Sequence, residues 1–388
     1  DSLILFQHAS YQDFSLSLNE LKSFGFVVPL SEKTLNMNEV IVSASKWEQD
    51  RSQLSNEVIQ INPKEIAFKN PQTSADMLTQ TGQVFVQKSQ LGGGSPMLRG
   101  FAASSVLIVM DGLRVNNAIF RSGNVQNIIL IDPNALENTE LVFGAGSVIY
   151  GSDALGGVMD FHTLTPRFAF EKNVEFSGKS LLRYSSANNE KTFHTDFTIS
   201  GKKWSALTSF SFSDFDDLRS GAKHPKDYPD FGKRFEYVDR VNGQDSILSN
   251  SNVHIQKNSA YNQTNFMQKI RFRPNKNLDF LYSFYYTNSS NIPRYDRLIQ
   301  KRDGKLRYAE WFYSPQKWYA NRLSVKYLAN KKLVDIAKLT LSHQRIDEDR
   351  NDRSLNSDWL RTRREDVNVY TLNLDLDKSV NDKSEFYY

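Results

Sequence analysis

Cysteine is absent from the 388 residues, which removes disulfides and thiolate nucleophiles but leaves the compartment open, since reducing and oxidising environments both tolerate cysteine-free chains. Long apolar runs are absent too: the most apolar stretch, Val106 to Met110, falls far short of the ~20 residues a membrane helix needs. That excludes a helical membrane protein. One-sided charge is missing as well, with 48 Lys and Arg against 44 Asp and Glu for a net +4, so nothing calls for a nucleic-acid partner. The common enzyme motifs do not occur. There is no His-Glu-x-x-His, and the run Gly92-Gly93-Gly94 lacks the Lys-Ser or Lys-Thr of a phosphate loop. No catalytic residue and no metal site is nominated; Asp216-Asp217 and Asp347-Glu348-Asp349 read as solvated loop charge.

Phenylalanine and tyrosine are abundant, at 26 and 17 residues, and the pattern they form divides the chain. Residues 1–36 hold short β-like runs, Phe14 to Leu18 and Phe26 to Leu30, that read as the tail of a small β-sandwich. Residues 37–57 hold an extended segment, Met37 to Ala44, and then a polar linker. Residues 58–166 read as a mixed α+β domain, with a helix over Ser74 to Gln80 and buried strands over Ser105 to Met110 and Thr139 to Phe143. Glycines cluster there, among them Gly144, Gly146, Gly151, Gly156 and Gly157, where tight turns are the usual reason. The chain starts at Asp1 and stops at Tyr388 inside a strand-like pattern, and both ends read as cut.

Residues 167–388 alternate with a period of two, which sends side chains to opposite faces of a strand. Phe193, Thr195, Phe197 and Ile199 alternate with His194, Asp196, Thr198 and Ser200. Strands are expected over 173–184, 191–200, 204–214, 263–273, 278–288, 318–329, 333–345 and 365–377, with a ninth from Ser384. Their connections sort by parity. One end has tight turns, such as Gly201-Lys202-Lys203; the other has the long polar stretches 215–262, 289–317 and 346–364, with only its first connection, 185–190, short. Outer-membrane barrels show this asymmetry, with short periplasmic turns and long extracellular loops. Tyr184, Tyr285, Tyr286, Trp318 and Tyr319 lie near strand ends and would suit aromatic girdles at the membrane interfaces. Eight or nine strands enclose only a side-chain-filled interior. If the preceding domain sits inside the barrel, the barrel is incomplete.

Four segments of the middle region, in order, carry a specific resemblance: Met97-Leu98-Arg99-Gly100-Phe101, Val106 to Asn116 with its Asp111-Gly112 turn, Glu137 to Val142, and Gly146-Ser147-Val148-Ile149-Tyr150-Gly151 through Gly156-Gly157. Together they resemble the plug of TonB-dependent outer-membrane receptors. The resemblance implies an α+β plug followed by an antiparallel transmembrane β-barrel, mainly β overall. It gives Arg99, Gly100, Asp111, Gly112, Glu140, Gly146, Tyr150, Gly151, Gly156 and Gly157 structural roles. Arg99 and Glu140 are the charges expected to be paired, because an unpaired charge between plug and wall is costly to desolvate. Many members place an arginine after the glutamate-bearing strand, where this chain has Phe143-Gly144-Ala145, so no salt bridge is carried over to that position.

Upstream, Asn38 to Ala44 is similar to the TonB box, with Glu39, Val40, Ile41, Val42 and Ser43 as the coupling residues; the alternative is the last strand of the preceding sandwich. An extended segment beside a linker can add a strand to a partner's sheet. The resemblance implies import without chemistry: a scarce nutrient binds between plug tips and outer loops, and TonB, energised by the ExbB-ExbD complex, pulls from the periplasm. It places the protein in the outer membrane of a Gram-negative bacterium, in contact with lipid, with the plug inside the barrel and the N-terminal segment periplasmic. No permanent cofactor is implied. The expected cargo is haem or a ferric siderophore, presented by a surface lipoprotein or a host haem protein in one version; cobalamin, a copper complex, an oligosaccharide or a non-transporting surface-binding barrel are the alternatives. Ligand contacts are expected at Gln90, Ser95, Phe120, Arg121 and Asn124 in the plug, and at His224 and His254 in the 215–262 loop, since imidazoles ligate haem iron.

Overall fold

The computed structural model describes residues 3–8, 11–23, 25–28, 40–41, 49–50, 57–101, 105–115, 119, 128–144, 150–329, 331, 334–381 and 384–387. They fall into two units, Asp1–Ser55 and Asn56–Tyr388.

In the first unit, β1 (Leu3–His8) and β2 (Tyr11–Ser17) form an antiparallel hairpin that runs into α1 (Leu18–Ser23). Ser17 and Glu20 cap that helix reciprocally: the Glu20 N–H reaches Ser17 Oγ at 3.3 Å and the Ser17 N–H reaches Glu20 Oε2 at 2.8 Å. This corrects the expected strand through Leu18, and Phe26 to Val28 lie in a turn and an irregular stretch, not in a strand. Two short strands follow, β3 (Val40–Ile41) paired with β4 (Gln49–Asp50).

The second unit opens with β5 (Val58–Ile61), α2 (Pro63–Lys69) and α3 (Ser74–Thr79). Asn62 and Thr73 cap the two helices through their side-chain oxygens. Then come β6 (Val84–Gln87), β7 (Ser95–Leu98), β8 (Val106–Met110), β9 (Leu113–Arg114), β10 (Leu136–Phe143) and β11 (Gly157–Thr163). Five of these build one sheet in the order β5-β10-β11-β8-β9, with β8 and β11 parallel. All five residues of β8 are buried, which explains its unbroken apolar run.

Nine long strands make the second sheet, in which each pairs antiparallel with the next: β12 (Val174–Ser185), β13 (Glu190–Gly201), β14 (Trp204–Phe215), β17 (Tyr261–Asn275), β18 (Leu278–Ser289), β23 (Lys317–Leu328), β24 (Ile336–Asp347), β27 (Asp366–Asn381) and β28 (Ser384–Tyr387). The sheet does not close; β12 and β28 are its edges. Its polarity is inverted relative to a soluble core. On β13 the polar Thr192, His194 and Asp196 are buried, while Phe193 and Phe197 point outward, as in a barrel whose outer face meets lipid. The inward polar face packs against the plug, and one continuous apolar cluster joins plug residues such as Ile108 and Met159 to Met267, Tyr285 and Trp318 of the wall. Tyr285 and Trp318 are therefore inward, not girdle residues: each is 3% exposed, because they stand on the wall face that the plug occupies. Tyr286 and Tyr319, paired across β18 and β23, keep the outward position.

The long connections carry structure of their own. Residues 216–260 hold the hairpin of β15 (Glu236–Val241) and β16 (Gln244–Ser249). The next holds β19 (Ile292–Pro293), α4 (Tyr295–Leu298), the two-residue pair β20 (Lys301–Arg302) and β21 (Lys305–Leu306), and β22 (Tyr308–Tyr313). The third holds β25 (Arg350–Ser354) and β26 (Arg361–Arg363), and the last two loops share a four-stranded sheet, β19-β22-β25-β26.

Gly157 is where the plug sheet tolerates no side chain. Its φ is +148°, and an added Cβ would sit 2.5 Å from the Val142 carbonyl oxygen and 2.8 Å from Leu98 Cδ1. Gly157→Ala is expected to cost about 3 kcal/mol of stability, measured by chemical denaturation in detergent micelles.

Candidate functional site

The site is the seam between plug and wall, together with the loops above it. β8 leaves the sheet through Asp111 and Gly112, both with positive φ (+49° and +80°), the turn that an Asp-Gly pair favours. The turn delivers the Asp111 carboxylate to the wall. There Lys269 Nζ of β17 lies 2.9 Å from Oδ2, the Tyr285 hydroxyl of β18 donates to Oδ2 at 2.6 Å, and the Thr163 N–H donates to Oδ1 at 3.0 Å. Lys269 also donates to the Thr163 carbonyl at 3.3 Å. Burial alone would raise the Asp111 carboxyl, but Lys269 and the hydroxyls of Thr163 and Tyr285 overcome it and hold the group well below the usual carboxylate range.

Two further clasps use the backbone of the plug. Arg183 of β12, ion-paired to Glu190 at 2.8 Å, donates to the carbonyls of Pro71 at 2.7 Å and Gln72 at 3.3 Å. Gln72 and Asn188 join their amides beside it at 3.1 Å. Farther round the wall, Gln263 donates to the Ile129 carbonyl at 2.7 Å, and Asn265 and Thr287 both donate to the Leu130 carbonyl at 3.1 Å. His194, 0% exposed, bonds Ser211 at 2.6 Å and Asp196 at 2.9 Å, and Ser211 in turn donates to Asp132 of the plug. Between these clasps a cavity of about 30 Å³, lined by residues including Met110, Leu130, Met267 and Trp318, has room for about one water.

Arg99 does not lie in a buried pair. It binds Glu57 at an exposed position, and its guanidinium sits 4.6 Å from the centre of the Phe143 ring, so the phenylalanine found where relatives place an arginine becomes a cation–π surface. Arg99 and Gly100 both have positive φ. Glu140 is fully buried and faces His162 at 3.7 Å. Gly151 (+89°) occupies the conformation its type permits, and Gly156 packs against Phe101. Tyr150 lies close enough to Asp160 and Glu140 for burial and their charge to push its phenol upward. Gly146 lies outside the described residues.

Of the expected ligand contacts, Phe120, Arg121 and Asn124 also lie outside the described residues, as do Glu39, Val42 and Ser43. Gln90 and Ser95 are buried. The second outer loop covers them: the Asp296 N–H donates to the Ser89 carbonyl at 3.1 Å, and Gly92 leaves no space for a Cβ between Ile292 and Tyr261. His224 and His254 do come together, as a parallel stack with ring centres 5.4 Å apart and planes 11° apart. The three loops above are tied by charge. Arg353 of β25 binds Asp245 of β16 at 2.8 Å and Glu310 of β22 at 2.7 Å, and its hydrogen bonds hold Asp245 below the usual carboxylate range. Lys269, Arg183 and His194 were not singled out from the sequence as seam residues, although a charged side chain in the inward register of a barrel strand was the available signal.

Residues 50–158 match the family model described as "TonB-dependent Receptor Plug Domain". Among curated relatives, the "Vitamin B12 transporter BtuB" of Vibrio vulnificus (strain CMCP6) is 31% identical over 160 residues, 40% of this chain and 25% of the relative. The "Hemin receptor" of Yersinia pestis is 28% identical over 135 residues, 34% of this chain and 19% of the relative. Among solved structures, the FrpB iron transporter from Neisseria meningitidis superposes with a TM-score of 0.62 at 13% identity, covering 84% of this chain and 46% of that one. The copper transporter OprC gives 0.62 at 15%, covering 84% and 43%. These structures establish the fold. The chain spans less than half the length of each relative.

Lys269→Met, which strands the buried Asp111 carboxylate, is expected to lower stability by about 3–5 kcal/mol, with part recovered by adding Asp111→Asn. The depressed Asp111 carboxyl contributes stability that is complete above its unfolded value, about pH 4, and is lost as pH falls through the lower folded value. Asp111→Asn should flatten that acid limb in denaturation curves recorded across pH.

Proposed function

We propose that this chain, which carries a TonB-dependent receptor plug seated on the inner face of an outer-membrane-type β-sheet, belongs to an importer in the outer membrane of a Gram-negative bacterium that moves a scarce nutrient into the periplasm. The observation that carries this reading is a plug seated, by polar clasps at many points, on the inner face of a sheet whose outer face is apolar. Val40 and Ile41 are extended, as a segment that adds to a partner's sheet must be. With Glu39, Val42 and Ser43 they would form the coupling box for TonB, energised by ExbB-ExbD. The first plug element after the linker is β5, which among the described residues lies at the edge of its sheet and pairs with β10 alone. Tension from the box reaches that edge strand first.

The cargo we favour is haem or a ferric siderophore. His224 and His254, adjacent in one outer loop, are the supporting groups, and a surface lipoprotein or host haem protein would be the donor. Cobalamin is the second reading, favoured by the 31% identity to a vitamin B12 transporter.

Ile41→Pro, which removes an N–H and breaks the added strand, is expected to abolish cellular uptake of the nutrient while surface binding persists. Loss of neither would point to a surface-binding barrel. In a haem titration, a shifted Soret band weakened by His224→Ala or His254→Ala assigns haem; an unshifted band passes the cargo to the other chelates or to cobalamin.

A further inference from the structure

A second buried charge cluster lies apart from the Asp111 clasp. Glu140 on β10 and Asp160 on β11 are directly opposite in register, and both are buried, at 0% and 4% exposed. Like charges opposite one another destabilise a sheet. A cation is placed to oppose that. His162 stands two residues along β11 from Asp160, hence on the same face, with Nε2 3.7 Å from Glu140 Oε2 and 3.6 Å from Asp160 Oδ2. The other charged groups that act on this corner are Asp111, from the turn after β8, and Lys338, from the wall strand β24. The Tyr150 phenol lies beside it and also feels Asp375 of β27.

Burial by itself opposes a charged imidazole, yet Asp160 and Glu140 outweigh it and push His162 up to about 9. Burial, reinforced by Glu140 and Asp111 and opposed by His162, raises the Asp160 carboxyl as well. Both folded-state shifts are upward. The stability they contribute is therefore greatest in acid; the imidazole's share is complete below its ordinary value of about 6.5 and is lost as pH rises through about 9. The Asp111 carboxylate has the opposite sign, its share being lost on acidification. This cluster lies within the plug sheet, whereas the Asp111 clasp joins plug to wall.

We infer that His162 is a cationic staple that holds the β10–β11 pair of the plug sheet together, and that its proton is a switch: alkaline medium loosens this corner of the plug while the wall strands stay paired. The switch is independent of cargo and of coupling to TonB, so it stands or falls separately from the import reading. A loosened β10 also frees the partner of β5, so the part of the plug nearest the linker becomes easier to open.

Hydrogen–deuterium exchange on the protein in detergent micelles tests this, read as protection factors so that the intrinsic pH dependence is removed. Between about pH 7 and about pH 10, protection in Leu136–Phe143 and Gly157–Thr163 should fall about tenfold or more while that of Tyr261–Asn275 holds. His162→Lys, which keeps its charge to higher pH, should move the fall upward. His162→Gln should show low protection at both ends. Flat wild-type protection across that range, or a His162→Gln profile like that of the wild type, overturns the inference. If His162→Gln does not fold, the lysine variant decides: a fall displaced upward supports the staple, and a fall at the unchanged pH overturns it.

Discussion

A carboxylate removed from water needs an exact set of partners, and Asp111 finds them in only one placement of plug against wall. Its two oxygens take an ammonium from β17, a phenol from β18 and a backbone N–H from the end of β11. Because those donors come from three elements, the contact fixes the rotation of the plug as well as its depth. The rest follows from that register: with β8 and β11 parallel and adjacent, setting the end of both at the wall sets where the chain leaves the plug to begin β12. A misplaced plug would leave a buried lysine and a buried carboxylate without each other, a cost of several kcal/mol that no apolar contact nearby could offset.

The remaining attachments have a different character. Arg183, Gln263, Asn265 and Thr287 all address backbone carbonyls of the plug, groups that an irregular segment must satisfy somewhere. Each such bond is worth about 1 kcal/mol net, so beyond the Asp111 clasp and the apolar cluster shared with the wall the plug loops are held by many small increments. The polar interior of the wall therefore completes the hydrogen bonding of the plug loops, which no apolar wall could do.

Much of this was legible from the residues. The period-two alternation located the nine wall strands to within about three residues at nearly every end, and the parity of loop lengths gave their orientation, because a strand with one face in lipid has to alternate. The plug came from four ordered segments, three of which contain a glycine or an Asp-Gly turn. What escaped was partner choice. Alternation showed that Tyr285 and Trp318 lay near strand ends, but which face they stood on depends on the inward register, and the plug that fills that face is distant in sequence. Helix α2 was overlooked although Asn62-Pro63 and Glu65 announce its start. Arg99 was expected to be paired, but nothing local named Glu57, from the start of the plug, as the partner it takes. Lys269 gave a signal in the inward register, yet nothing local could say that Asp111 would meet it.

The outer sheet β19-β22-β25-β26 draws its strands from two separate connections, and Arg353 pins a third to them through Asp245 and Glu310. These loops cannot drift apart evolutionarily as free segments do. A change of length or charge in one is felt in the others, so variation in these loops would have to arrive as matched changes across all three. For the same reason, grafting this outer surface onto another barrel requires transplanting the three loops as a set.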